Sequence, residues 1–305
     1  MNPFTPLIGQ PQAVELLTQA VAKNRIAPAY LFTGTPGIGK VLGAKCFIEL
    51  IFADSKQQQT INNHPDLFWV EPTYQHQGQR LTIAEATAKG LKRKAPPVIR
   101  LEQIREITQF LSRPPLKAPR QVVVLSDVDK MAEAGANALL KTLEEPGKAT
   151  LILIAPSPDS ILSTLVSRCQ RIPFYSLDTQ AMVQVLQQTG HEEILQHPTI
   201  LNIAAGSPGK ALAYHQQLQN IPSELLAAVT EPPRTYRQAL EIAKQIDKSL
   251  DTETQLWLID YLQQFYWQNG CQPAIIQEFE QARKSLLCYA QPRLVWECTF
   301  LKMYV

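Results

Sequence analysis

Gly34-Thr35-Pro36-Gly37-Ile38-Gly39-Lys40 spells G-x-x-x-x-G-K directly behind the apolar run Ala29-Tyr30-Leu31-Phe32. Glycines at these places let successive backbone N–H groups close around a phosphate, and the terminal Lys reaches the β and γ oxygens. The next position ordinarily supplies a hydroxyl to Mg²⁺. Here it is Val41, whose side chain has no oxygen.

Hydrolysis at such a loop also needs an Asp at the tip of a buried strand to hold the metal, commonly with a neighbouring Glu to polarise water. After Val122-Val123-Val124-Leu125 the chain offers Ser126-Asp127-Val128-Asp129. With the tip at 126, the metal carboxylate has become Ser126, and Asp127 stands in the water-polarising place one methylene short. A shift of one residue in register would make Asp127 the ligand instead. Asp129 reads as part of a strand-end turn. Gly34, Thr35, Gly37, Ile38, Gly39, Lys40 and Val41, with Ser126 and Asp127, therefore read as a degenerate nucleotide cradle that has lost its magnesium grip. ATP or ADP is a doubtful ligand, and no metal site is expected.

Other chemistries find little support. The five cysteines (Cys46, Cys169, Cys271, Cys288, Cys298) are odd in number with no C-x-x-C pair, so they are expected to be reduced and mostly buried. The five histidines form no metal-binding spacing. A net charge of +2 is too balanced for a strong sequence-independent grip on DNA. The basic stretch Lys89 to Lys94 reads as a solvated loop, with template phosphates as its minor alternative. No apolar run approaches the about 20 residues of a membrane span. The start, Met1-Asn2-Pro3-Phe4-Thr5-Pro6, has no signal-peptide profile, and a cytoplasmic location is expected.

The elements that must position these residues alternate between strand and helix in the first 175 residues. Helical spacing covers Pro11 to Lys23, and Ala29 to Thr33 is a short buried strand before a helix that runs through Leu50. Leu67 to Val70, Val122 to Leu125 and Leu151 to Ala155 read as further strands, the latter two buried on both faces of a parallel sheet. Ile99 to Phe110 and Ala134 to Leu143 read as helices. Tyr74 to Pro97 reads as a mobile surface insertion. Beyond Asp178 only helices are expected, broken at Pro222, Pro232-Pro233, Pro273 and Pro292. One of them carries the stripe Leu258, Tyr261, Leu262, Phe265 and Tyr266, expected to pack on neighbouring helices, with a subunit interface as the alternative.

Ile8-Gly9-Gln10, Ala29 to Phe32, the glycine loop, His64-Pro65-Asp66, Ile104-Arg105, Asn137 to Pro146, Ser167-Arg168-Cys169 and Pro292-Arg293-Leu294 occur in this order. Together they resemble the bacterial DNA polymerase III clamp-loader subunits of the AAA+ class. The resemblance implies an α/β AAA+ P-loop domain with a parallel sheet over 1–175, an all-α lid over 176–212 and an all-α C-terminal collar over 213–305. It implies that Arg168 is an arginine finger offered to a neighbouring subunit's nucleotide. It further implies a hetero-oligomeric ring with gamma/tau ATPase subunits and a delta subunit, serving a sliding clamp on primed DNA, with this chain as a non-hydrolysing stator.

Two departures from the family accompany this. Gly209, in Gly206-Ser207-Pro208-Gly209-Lys210, stands where active members carry a second sensing Arg. No Cys lies between Glu49 and His64, so the family's four-cysteine zinc module is not expected, and Gln57-Gln58-Gln59 would rebuild that knob. The competing readings are an active gamma/tau-type ATPase, opposed by Val41, by Ser126 and by an end at Val305, and a small-molecule P-loop kinase using Lys40 and Asp127.

Overall fold

Apolar runs at 29–33, 121–125 and 149–155 leave no face polar, and all three lie wholly buried as the middle of a parallel sheet. The computed structural model describes residues 2–53, 64–90, 96–145, 147–270 and 273–303. The chain runs α1 (Pro11–Ala22), β1 (Ala29–Thr33), α2 (Lys40–Phe52), β2 (Leu67–Val70), β3 (Tyr74–His76), β4 (Gln79–Leu81), α3 (Ile83–Ala88), α4 (Leu101–Leu111) and β5 (Gln121–Leu125). It continues through α5 (Glu133–Glu144), β6 (Ala149–Ala155), α6 (Ser163–Val166), β7 (Gln170–Pro173) and α7 (Thr179–Gln188). The remainder is α8 (Pro198–Ala204), α9 (Pro208–Gln219), α10 (Ser223–Thr230), α11 (Tyr236–Ser249), α12 (Thr252–Gln268), α13 (Pro273–Leu287) and α14 (Pro292–Met303). Two compact units result, Met1–Ala181 and Met182–Val305.

In the first unit the five-stranded sheet has the order β2-β5-β6-β1-β7, with every pairing parallel. Parallel neighbours need crossovers, and the helices supply them. The edge strand β7 escapes a periodicity reading because it is four residues long and only Ile172 is fully buried. Its Pro173 is tolerated because an edge strand need not donate on both sides.

The segment expected to be a mobile insertion is ordered in its described part, which corrects the expectation for 74–90. β3 and β4 form an antiparallel hairpin, and α3 follows with a capping box between Thr82 and Glu85. Arg80 makes a bidentate contact to Glu106 on α4 at 2.5 and 3.1 Å, pinning the hairpin. Between this hairpin and β2 lies a cleft of about 640 Å³ lined by Trp69, Glu71, Arg80 and Glu85. Composition alone missed this because a hairpin of three-residue strands has too few residues for a period to register. Lys89 and Gly90 close α3, whereas the rest of the basic stretch and Gln57-Gln58-Gln59 lie outside the described residues.

Asp66, 1% exposed, ties the connection before β5 to the start of β2. Its carboxylate accepts backbone N–H bonds from Leu116, Lys117 and Ala118 at 2.6 to 2.8 Å, and its carbonyl accepts from Val122 N–H at 2.8 Å. Burial pushes this carboxyl up, but the three amide bonds outweigh it and hold the group below the usual carboxylate range.

The second unit is helical around one core that takes in Met182, Leu186 and Ile200 as well as Leu258, Phe279 and Trp296. Leu258, Tyr261, Leu262 and Tyr266 of the α12 stripe are buried in that core, with Phe265 packed against it. The cysteine expectation needs correcting, since Cys46 is buried but Cys288 and Cys298 are exposed. No helix among the described residues is long and apolar enough to cross a membrane.

His215 is buried in this unit with its ring 5.2 Å from that of His197, and His191 and Glu193 lie close by. Burial first, then the charge of His197, lower its pKa against an upward pull from Glu193, with His191 adding the least. A folded pKa below the unfolded one means that the unfolded chain takes up the proton more readily. Stability is therefore complete above about pH 6.5 and falls as the pH drops below it. Thermal melts of the whole chain between about pH 7.5 and 5.5 should show this decline, and His215→Gln should flatten it. An unchanged slope in the variant would assign the loss to another group.

Candidate functional site

The glycine loop leaves the C-terminal end of β1, in the interior of the sheet, and turns into α2. Gly34 has φ +145°, and a Cβ there would lie 2.4 Å from the Phe174 carbonyl oxygen and 2.6 Å from Ile38 Cδ1. Only glycine fits so close an approach. Gly39 caps α2 in the left-handed region at φ +102° and provides no side-chain cap. Gly39 thus brings no side-chain acceptor of its own to the start of α2, and a helix start is where backbone N–H groups can receive an anion.

A residue far from the motif in sequence sets the loop's outer boundary. Gln10, buried ahead of α1, donates from Nε2 to the Ile38 carbonyl at 3.3 Å and to the Tyr175 carbonyl at 2.7 Å. Its Oε1 accepts from Tyr175 N–H at 3.0 Å. One amide side chain therefore joins the loop to the exit of β7. The only sequence sign of Gln10 was its place in Ile8-Gly9-Gln10.

Lys40 is 8% exposed, and its ammonium donates to the carbonyls of Gly34 and, at 2.9 Å, of Thr35. The cation is thus held inside the loop by the loop's own backbone. Val41 follows on the outside of α2, 44% exposed, and presents methyl groups where a metal ligand would be needed.

β5 ends at Leu125, which puts Ser126 at the tip. The Ser126 hydroxyl accepts from the Trp69 indole N–H at 3.0 Å and so is engaged with β2. Asp127 has φ +50° and turns its carboxylate onto Lys130 Nζ at 3.0 Å. The strand tip therefore presents a hydroxyl bound to an indole and a carboxylate paired with a lysine.

Arg168 lies elsewhere on this unit, in the turn between α6 and β7. Its guanidinium is 38% exposed, with Nη1 donating to the Thr164 carbonyl at 3.0 Å and Nη2 to Glu144 Oε1 at 2.8 Å. Ser167 Oγ also donates to the Thr164 carbonyl, at 3.0 Å, so the turn is held by its own side chains. Burial pushes the Cys169 thiol up to about 11, which makes it a neutral packing group rather than a nucleophile. Sequence inspection singled out the segments of Glu144 and Arg168 separately, and the fold brings them together.

A family model described as DNA polymerase III, delta subunit, matches residues 9–178. A second, described as cyanobacterial DNA polymerase III delta prime, C-terminal domain, matches residues 180–303. Subunit delta prime of DNA polymerase III from Bacillus subtilis (strain 168) is 33% identical over 185 residues, 57% of this chain and 50% of that protein. Subunit tau from the same organism is 26% identical over 194 residues, 63% of this chain and 32% of that protein. The chain thus spans about half the length of the first relative and a third of the second. A solved DNA polymerase III gamma subunit-related protein from Thermotoga maritima superposes with a TM-score of 0.57 at 16% identity, over 96% of this chain and 98% of that chain. That last likeness is one of fold.

Proposed function

The chain belongs to the family described as DNA polymerase III, delta subunit, and from that premise we propose that it is a clamp-loader subunit of the delta prime kind. It takes its place in a hetero-oligomeric ring with gamma/tau ATPase subunits and a delta subunit, through which a sliding clamp is placed on primed DNA during replication in the cytoplasm. The AAA+ core, a lid over 176–212 and a collar over 213–305 divide the work, the collar holding the ring together. The chain itself is the non-hydrolysing stator, and Arg168 is the finger it lends to a neighbour's ATP.

The observation that carries this reading is the pairing of an intact phosphate loop with two missing metal contacts. The glycines and Lys40 fit a phosphate. Mg²⁺ loses two ligands, because Val41 has no oxygen and the strand tip carries Ser126, whose hydroxyl accepts from Trp69. Any ATP or ADP meets Gly37, Gly39 and Lys40 through its phosphates without a bridging metal. The similarity to tau raises an ATP-hydrolysing gamma/tau-type subunit as the second reading, and that reading needs the metal contacts this loop lacks.

The purified chain is therefore expected to show no ATP turnover, with or without Mg²⁺. Titration should give a nucleotide affinity that a chelator leaves unchanged. Magnesium-stimulated turnover by the chain alone would replace the stator reading with the motor reading.

A further inference from the structure

We propose that Glu144 is a positioning residue for Arg168, a counter-ion that keeps the guanidinium oriented and partly neutralised until a neighbour's nucleotide phosphates compete for it. The inference rests on the finger role proposed above and extends it to how that finger is controlled.

The geometry is specific. Glu144 is the last residue of α5, and Arg168 follows α6, 24 residues on, yet Glu144 Oε1 receives Nη2 at 2.8 Å. Nη1 is fixed by the Thr164 carbonyl of the helix that precedes it. The guanidinium is therefore held at two nitrogens by two separate elements. A rigid fork secured along one edge keeps its remaining N–H groups aimed outward, which a single flexible ammonium would not do.

The strength of the pair suits an exchange of partners. Both side chains are well exposed, at 38% and 53%, and exposed ion pairs are weak and screened by salt. A triphosphate carries several negative charges against the carboxylate's one, so it wins the guanidinium when the two approach. Until then the carboxylate lowers the finger's attraction for phosphate. Glu144→Gln keeps an oxygen that can accept from Nη2 but removes the charge, separating orientation from competition.

The test uses the full chain reconstituted with its ATPase partner subunits and measures steady-state ATP hydrolysis against ATP concentration. At low salt, Glu144→Gln should lower the KM for ATP by about two- to fivefold while kcat changes little. The gap should close as ionic strength rises, which a purely structural role would not produce. In an Arg168→Ala background the Glu144 substitution should have no effect. If Glu144→Gln matches wild type at low salt, or shifts KM equally without Arg168, the positioning role is overturned and the finger role stands. If Arg168→Ala alone leaves single-turnover hydrolysis by the assembly unchanged, both fall.

Discussion

Arg168→Ala is expected to slow ATP hydrolysis at the neighbouring site of the assembled ring by about 10³-fold or more, the range found when an arginine finger is withdrawn. Other sites in a ring draw on other subunits, so single-turnover hydrolysis by the reconstituted assembly is the measurement that exposes the site lost. Arg168→Lys should recover little, since an ammonium restores the charge but not the planar fork. The isolated variant should fold normally. Arg168 is 38% exposed and its ionic partner is a surface carboxylate, a kind of contact worth about 0–1 kcal/mol. Unchanged single-turnover kinetics in a correctly assembled variant would remove Arg168 from the reaction.

Asp66→Ala should be strongly destabilising although it removes no apolar surface from a core. Its carboxylate serves the amides of Leu116, Lys117 and Ala118 in a place 1% exposed. Each hydrogen bond to a charged group is worth about 1.5–3 kcal/mol, and removing the acceptor leaves buried donors without partners. Allowing for water reaching part of the opened loop, a loss of about 3 kcal/mol is expected. For a unit of this size that corresponds to a fall of about 6–12 °C in melting temperature. Asp66→Asn, which keeps one oxygen, should fall in between. The same geometry sets the sign of the acid response. The folded pKa lies below the unfolded one, so this contribution is present above the usual carboxylate range and is lost as the pH falls through the folded value. The Asp66 backbone carbonyl that accepts from Val122 N–H is untouched by the substitution, so the start of the β2–β5 pairing should persist. A melting temperature in the Ala variant within a degree or two of wild type would show that the loop finds other acceptors.

Much of the frame of this protein was written locally. Ala29–Thr33 and Leu67–Val70 are strands at the bounds their residues suggest, because short apolar or aromatic runs flanked by breakers have few other places to go. The glycine loop is legible for the same reason: its glycines answer a backbone requirement confined to seven adjacent residues. The hairpin of β3 and β4, the edge strand β7 and the exposure of Cys288 and Cys298 were not legible, since short edge elements carry no period and a thiol's burial depends on what packs over it.

What only the tertiary structure decided is which distant groups meet. Gln10 reaches Tyr175 across 165 positions, Trp69 engages Ser126 across 57, and Glu144 receives Arg168 across 24. Residue types and spacing determined that a glycine-rich loop runs into Lys40 and Val41, and the resemblance singled out Arg168. They could not determine that Lys40 bonds to its own loop, that Ser126 is bound by an indole, or that Arg168 pairs with Glu144. Such partnerships depend on helices and strands packing at set distances, and a linear pattern records the period of each element but not the neighbour it will face.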